Sequence, residues 1–185
     1  MAISEKQLTL EEFLRLPERK PELEFEDGEV IQKPVPKGKH SRLQSALAEL
    51  LNRFGVTRKL ACAFPELRAT YGGRSYVPDV ALYTWDRIPR DPDGRVADDF
   101  FEPPDLAVEV VSPRQSVTGL VRRCLWYVGN GVRVALLIDP GDESVLLFRP
   151  GGSTVALRGG EQIDLGDVLP GCTLTARELF DSLRL

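Results

Sequence analysis

The sequence predicts an α/β protein built on a mixed central sheet flanked by helices, and three features point there. Apolar patterns of helical and strand period alternate along the chain in the order α, β-hairpin, α, β, β, β, α, β, β, β, α, which calls for a layered sheet-and-helix architecture. Leu106-Ala107-Val108-Glu109-Val110-Val111 is nearly continuous apolar sequence, the mark of a strand covered on both faces. The composition, 42% apolar and 28% charged over 185 residues, is that of an ordinary globular protein, and one domain over residues 1–185 is the expectation.

Each element has a local reason. Thr9 with Glu12 forms a capping-box pattern ahead of a short helix over residues 10–16, which Pro17 stops. Residues 23–26 and 29–33 flank Asp27-Gly28, a pair that tolerates positive φ and so predicts a β-hairpin. Leu43, Ala46, Leu47, Leu50 and Phe54 stand at helical spacing over residues 41–54, with Gly55 as the stop. Residues 60–70 and 76–83 read as two strands about a Gly72-Gly73 turn, and residues 105–111 as a third.

Residues 117–128 carry Leu120, Val121, Cys124, Leu125 and Val128 as a second amphipathic helix. Strands follow over 132–138, 144–148 and 154–157, and a helix over 174–183 closes the chain. The segment from Trp85 to Pro104 is rich in Asp, Pro and Gly and reads as a long loop.

Several function classes are excluded or left without support. No apolar run is long enough to cross a bilayer and the N-terminus does not look like a secretory signal, so a cytoplasmic protein is expected. Cys62, Cys124 and Cys172 are scattered and read as small buried hydrophobes. The single histidine, His40, rules out a site built from several. The net charge of -4 offers no global positive field, so a nucleic-acid partner requires a local basic patch. Lys33, Lys37, Lys39 and Arg42 form such a cluster around Gly38; it is either a phosphate-binding patch or a solvated loop.

Two carboxylates interrupt apolar strands. Glu109 lies in the middle of the buried strand and Asp79 in Tyr76-Val77-Pro78-Asp79-Val80-Ala81-Leu82-Tyr83, where Pro78 also removes a ladder donor. A buried acid needs a compensating cation or hydrogen bonds. Two readings stay open: the acids face each other across a hard divalent ion such as Mg²⁺ or Mn²⁺, or Glu109 pairs with an arginine while Asp79 caps a turn.

Pro78-Asp79, then Glu109 in Ala-Val-Glu-Val-Val-Ser-Pro, then a helix to Tyr127, Gly131-Val132 and a strand ending Asp139-Pro140, resembles the Uma-type restriction endonuclease family of the PD-(D/E)XK superfamily. Leu23 to Val30 resembles that family's first hairpin, His40-Ser41-Arg42-Leu43-Gln44 the start of its helix, and Leu169-Pro170-Gly171 its close.

The resemblance implies a restriction-endonuclease-like core with extra β-hairpins. It also implies Asp79 and Glu109 as Mg²⁺ ligands beside a scissile DNA phosphate and Glu24 as a third, water-mediated ligand, whereas the neighbouring Glu22, Glu26, Asp27 and Glu29 read Glu24 as an exposed strand acid. The superfamily's lysine, two positions after the glutamate, is replaced by Val111. The family's alternative helix position holds Arg123, with Arg122 next to it. Arginine binds phosphate but does not readily accept a proton, so a catalytically impaired nucleic-acid-binding module is the alternative to a working endonuclease.

His40 is expected to cap the helix or approach a phosphate at its N-terminus, with Lys37, Lys39 and Arg42 as nucleic-acid contacts. Gln115 starts the next helix, Asp139 belongs to a turn, and Trp85 and Trp126 are a loop anchor and a core residue. A homodimer acting on duplex DNA is expected, with apolar residues of the strands after Ser144 as its contact.

Overall fold

The computed structural model describes residues 7–113 and 115–184. Arg114, in the corner before Gln115, lies outside the described residues. The first helix, α1, spans Leu10–Leu14, and its capping box is formed: Thr9 accepts from the Glu12 amide and Glu12 accepts from the Thr9 amide. The hairpin β1 (Leu23–Glu26) and β2 (Glu29–Gln32) turns on Asp27 at φ 51° and Gly28 at φ 90°, the left-handed pair that a two-residue turn of this kind requires.

Helix α2 runs Gly38–Gly55, three residues earlier at its start than the apolar spacing implies, because its first turn is polar and carries no periodic signal. Leu43, Leu47 and Leu51 face the core from it. Gly55 closes the helix for a reason other than a left-handed backbone. A Cβ there would stand 2.6 Å from the Ala61 carbonyl oxygen, so the glycine lets the helix end lie against the next strand. Gly55→Ala is expected to lower stability by about 1–3 kcal/mol through overpacking, read as a lower urea midpoint at unchanged slope.

The sequence suggests two long strands about Gly72-Gly73, and here the structure departs from it. Each is broken into two: β3 (Ala61–Pro65) then β4 (Ala69–Tyr71), and β5 (Arg74–Tyr76) then β6 (Val80–Thr84). The inner halves pair around the glycine turn and join a four-stranded sheet of order β2-β1-β5-β4. The outer halves pair with each other in a six-stranded sheet. The breaks fall at Glu66, with φ 50°, and at Val77-Pro78-Asp79, where proline cannot donate to a ladder. Asp79 therefore sits at the junction of the two sheets.

The large sheet is completed by β7 (Leu106–Val110), β8 (Val134–Asp139), β9 (Ser144–Phe148) and β10 (Thr154–Arg158), in the order β10-β9-β8-β7-β6-β3. β7 and β8 are parallel, joined through helix α3 (Val117–Gly129), and the other pairs are antiparallel. A final helix, α4 (Ala176–Asp181), has its own capping box from Thr175 and Glu178.

The period-two alternation of β7 divides the core. Leu106, Val108 and Val110 pack with Leu43, Leu47 and Leu51 of α2, while Ala107 packs with Leu120, Cys124 and Tyr127 of α3 on the opposite face. The strand is thus covered on both sides, as its apolar run implies. Glu109, two residues after Ala107, takes the α3 face.

The loop between Trp85 and Pro104 is tied down. Ile88 and Phe100 are buried, Phe100 packs against Phe64 and Tyr83, and Arg87 pairs with the buried Asp105 at 2.6 Å. The strands after Ser144 also use their apolar residues internally. Val145, Leu147, Phe148 and Leu157 are buried in the chain's own core, and Val155 is left exposed. The apolar contact face expected on these strands is therefore reduced to little more than Val155.

Candidate active site at the sheet junction

Four elements and two linkers bring their polar residues to the junction. β7 supplies Glu109, the chain entering β6 supplies Asp79, β1 supplies Glu24 and the residue after β2 supplies Lys33. α2 supplies His40, and α3 supplies Arg123 and Tyr127, which lie on the same helical face as Leu120 and Cys124. The antiparallel register pairs Val80 with Val108, which carries Asp79 to the position opposite Glu109.

Asp79 is 1% exposed and its backbone is fixed first: its amide donates to the Val108 carbonyl at 2.9 Å, and its carbonyl accepts from Gln44 Nε2 at 2.9 Å. Its Oδ2 accepts from the Val110 amide at 2.7 Å and its Oδ1 from Lys33 Nζ at 2.6 Å. His40 Nε2 stands 3.1 Å from the same Oδ1, off the line of a hydrogen bond, and the other ring nitrogen, Nδ1, bonds Ser112 Oγ at 2.7 Å. Burial pushes the Asp79 carboxyl up, but His40 and Lys33 outweigh it and hold the pKa below the ordinary value. Lys33 mirrors this: burial opposes its charge, and Asp79, Glu109 and Glu24 hold its pKa above the usual lysine value.

Glu109, 2% exposed, accepts from the Tyr127 hydroxyl at 2.6 Å on Oε1 and lies 3.6 Å from Arg123 Nη1. Burial dominates here, with Asp79 and Glu24 adding to it, and the pKa is pushed up to about 7 despite Arg123 and Lys33. Glu24, 1% exposed, binds both Arg123 nitrogens at 3.0 and 2.7 Å and accepts from the Val77 amide at 2.9 Å. The Arg123 guanidinium also lies 4.5 Å from the Tyr76 ring centre. A cleft of about 420 Å³, lined among others by Glu24, Lys33, Glu109, Gln115, Arg122 and Arg123, opens onto this cluster.

Several expectations are corrected by this geometry. Glu24 is not an exposed strand acid, since β1 is the inner partner of β2 and its Glu24 and Phe25 are buried. His40 does not cap α2: Lys37 is the N-cap, without a side-chain bond, and the imidazole is largely buried, held between Asp79 and Ser112. Asp79 caps no turn, and Glu109 does lie beside an arginine, Arg123. Lys37 and Lys39 are exposed at the start of α2, whereas Arg42 donates to the Ser182 carbonyl at 2.8 Å, toward the end of α4. Lys33 was placed by its sequence in the surface cluster; the structure puts it inside the site, 8% exposed. No local signal distinguishes it from Lys37, because its burial depends on a partner 46 residues away.

A six-stranded mixed sheet between two helices, with acids on adjacent central strands, is a restriction-endonuclease-like α/β fold. The comparisons agree. Residues 10–177 match the Uma2 family, described as "Putative restriction endonuclease", and the chain belongs to that family. Among solved structures it is similar to "a putative nuclease belonging to DUF820 from Anabaena variabilis ATCC 29413", with TM-score 0.91 and 37% identity, covering 95% of this chain and 99% of that one. Among curated proteins nothing matches.

Proposed function

We propose that the chain is a divalent-metal-dependent endonuclease that hydrolyses DNA phosphodiester bonds, with Asp79 and Glu109 holding Mg²⁺ or Mn²⁺ and Glu24 joining through water. The observation that carries this reading is the gathering of three acids, each at most 2% exposed, at one sheet junction, with Glu24 and Glu109 lining a cleft and Asp79 behind them on Lys33. Burying carboxylates together costs stability, and their value must lie in what they bind.

The donor set fits a hard ion, being all oxygen. No group of three or more His, Cys, Asp or Glu side chains forms a ready cage among the described residues. Mg²⁺ takes one or two carboxylates and completes its shell with water and substrate phosphate. A bound ion supplies Lewis-acid polarisation of the phosphate and a more acidic water.

The chain's residues do the rest. The Val110 amide fixes Asp79 and Tyr127 fixes Glu109, so both acids are oriented before substrate arrives. Water oxygen bonds to phosphorus and gives up a proton to solvent, the bond from phosphorus to the leaving sugar oxygen breaks, and that oxygen takes a proton from solvent.

Lys37 and Lys39, with the uncapped first turn of α2, border a second cleft of about 490 Å³ that includes His40, Ser112 and Pro140, and this exposed positive charge supports contacts to backbone phosphates. The second reading, a binding module without cleavage, draws on Val111 and on Arg123 in the family's lysine position. Pairing of two copies on a duplex belongs to the first reading, and light scattering tests it; a mass near 20.6 kDa at all concentrations would rule pairing out.

The test is incubation of plasmid and short duplexes with Mg²⁺ or Mn²⁺. Cleavage is expected, with at least a roughly 100-fold loss in Asp79→Ala. A thermal melt should rise on adding metal to the parent and stay unmoved in an Asp79→Ala, Glu109→Ala double variant. DNA binding without cleavage in the parent selects the second reading.

A further inference from the structure

We propose that Lys33 is the lysine of this site, contacting the scissile phosphate through its ammonium group, and that Arg123 is a structural strut. The inference rests on the metal-dependent nuclease reading above. It starts from how fully each cation is committed.

Arg123 spends its guanidinium on the protein. Two nitrogens bind Glu24, one of them also approaches Glu109, and its carbon lies over the Tyr76 ring. Arg123 also lines the cleft, but a guanidinium held on three sides would have to loosen its hold on two buried acids to grip a phosphate. Lys33 borders the same cleft as Arg123 but is less committed to the protein. Its ammonium has three donors, and among the described residues Asp79 is its one hydrogen-bond partner. Its backbone is fixed by donation to the Glu22 carbonyl at 2.8 Å. Its side chain borders the same cleft as Glu109 and Glu24.

Lys33 holds Asp79 Oδ1, an oxygen that a divalent ion would also claim. When that carboxylate turns to the ion, the ammonium is released within reach of the phosphate the ion binds. Lys33 thus fills the metal's place in the free protein and screens phosphate charge in the complex, changing neither its covalent bonds nor its protonation. The role that Val111 and Arg123 leave vacant is supplied from the end of β2 rather than from α3.

The experiment compares the parent with Lys33→Met and Lys33→Gln, measuring DNA cleavage and, separately, Mg²⁺ binding by calorimetry. Lys33→Gln keeps a donor near Asp79 and serves where Lys33→Met melts at lower temperature. The expected result is a roughly 100-fold loss of cleavage, with Mg²⁺ bound as tightly as in the parent or more tightly, because Asp79 has lost a competitor. Opposed movement of the two readouts separates a phosphate contact from a prop for Asp79. Loss of cleavage by less than tenfold overturns the inference, and so does a parallel loss of cleavage and metal binding. Both leave the nuclease reading intact. A parent that does not cleave DNA overturns that reading and the inference with it.

Discussion

Arg123→Met is expected to lower stability by about 3–5 kcal/mol near pH 8, because it removes the cation from two buried acids and leaves both charges uncompensated. Glu24 loses a hydrogen bond and an ion-pair contact and keeps the Val77 amide; Glu109 loses its nearest positive group and keeps Tyr127. The stacking of the guanidinium near Tyr76 goes as well. Urea unfolding of parent and variant measures the loss. It should shrink toward pH 5, where a proton on Glu109 replaces the missing cation. A loss below about 1 kcal/mol at pH 8 would mean that the acids have other partners. Arg123→Lys should fall between, since a point charge cannot reproduce the two-nitrogen grip on Glu24.

Glu109→Gln is expected to act in the opposite direction, stabilising the metal-free protein by about 3 kcal/mol at pH 8. A carboxyl raised from 4.5 to about 7 on folding costs about that much once it must ionise in place. Between those two values the folded chain holds a proton that the unfolded chain has released. The parent's stability should therefore fall as pH rises from about 4.5 to 7, and the slope should be missing in Glu109→Gln. Asp79 works the other way: its lowered pKa contributes stability above the ordinary carboxylate range, lost only as pH falls through the depressed value. The two windows separate, so melts from about pH 2 to 8 distinguish the residues. If the Glu109→Gln curve parallels the parent's, Glu109 titrates normally and its burial carries no cost. A stabilising loss of an acid is the mark of a residue kept for function.

The sequence by itself determined the elements and the two central acids. Helical and strand periods placed α1, α2, α3 and the strands from β7 on, because periodicity reports which side of a segment is buried wherever it is packed. Asp27-Gly28 set the hairpin, since the constraint on φ is local. Glu109 stood out because a charge inside a two-sided apolar run is costly in any fold. Asp79 showed by the same logic, with Pro78 marking the bend.

Only the tertiary structure decided what surrounds those acids. Splitting residues 60–70 and 76–83 between two sheets follows from which strands compete for the edges of β1 and β6, information carried elsewhere in the chain. Glu24 meets Arg123 across 99 residues and Lys33 meets Asp79 across 46. A lysine among lysines gives no sign of which is buried, since its desolvation is offset by carboxylates that fold in from other elements. Charge pairing in the interior is a long-range property, whereas periodicity and turn chemistry are local.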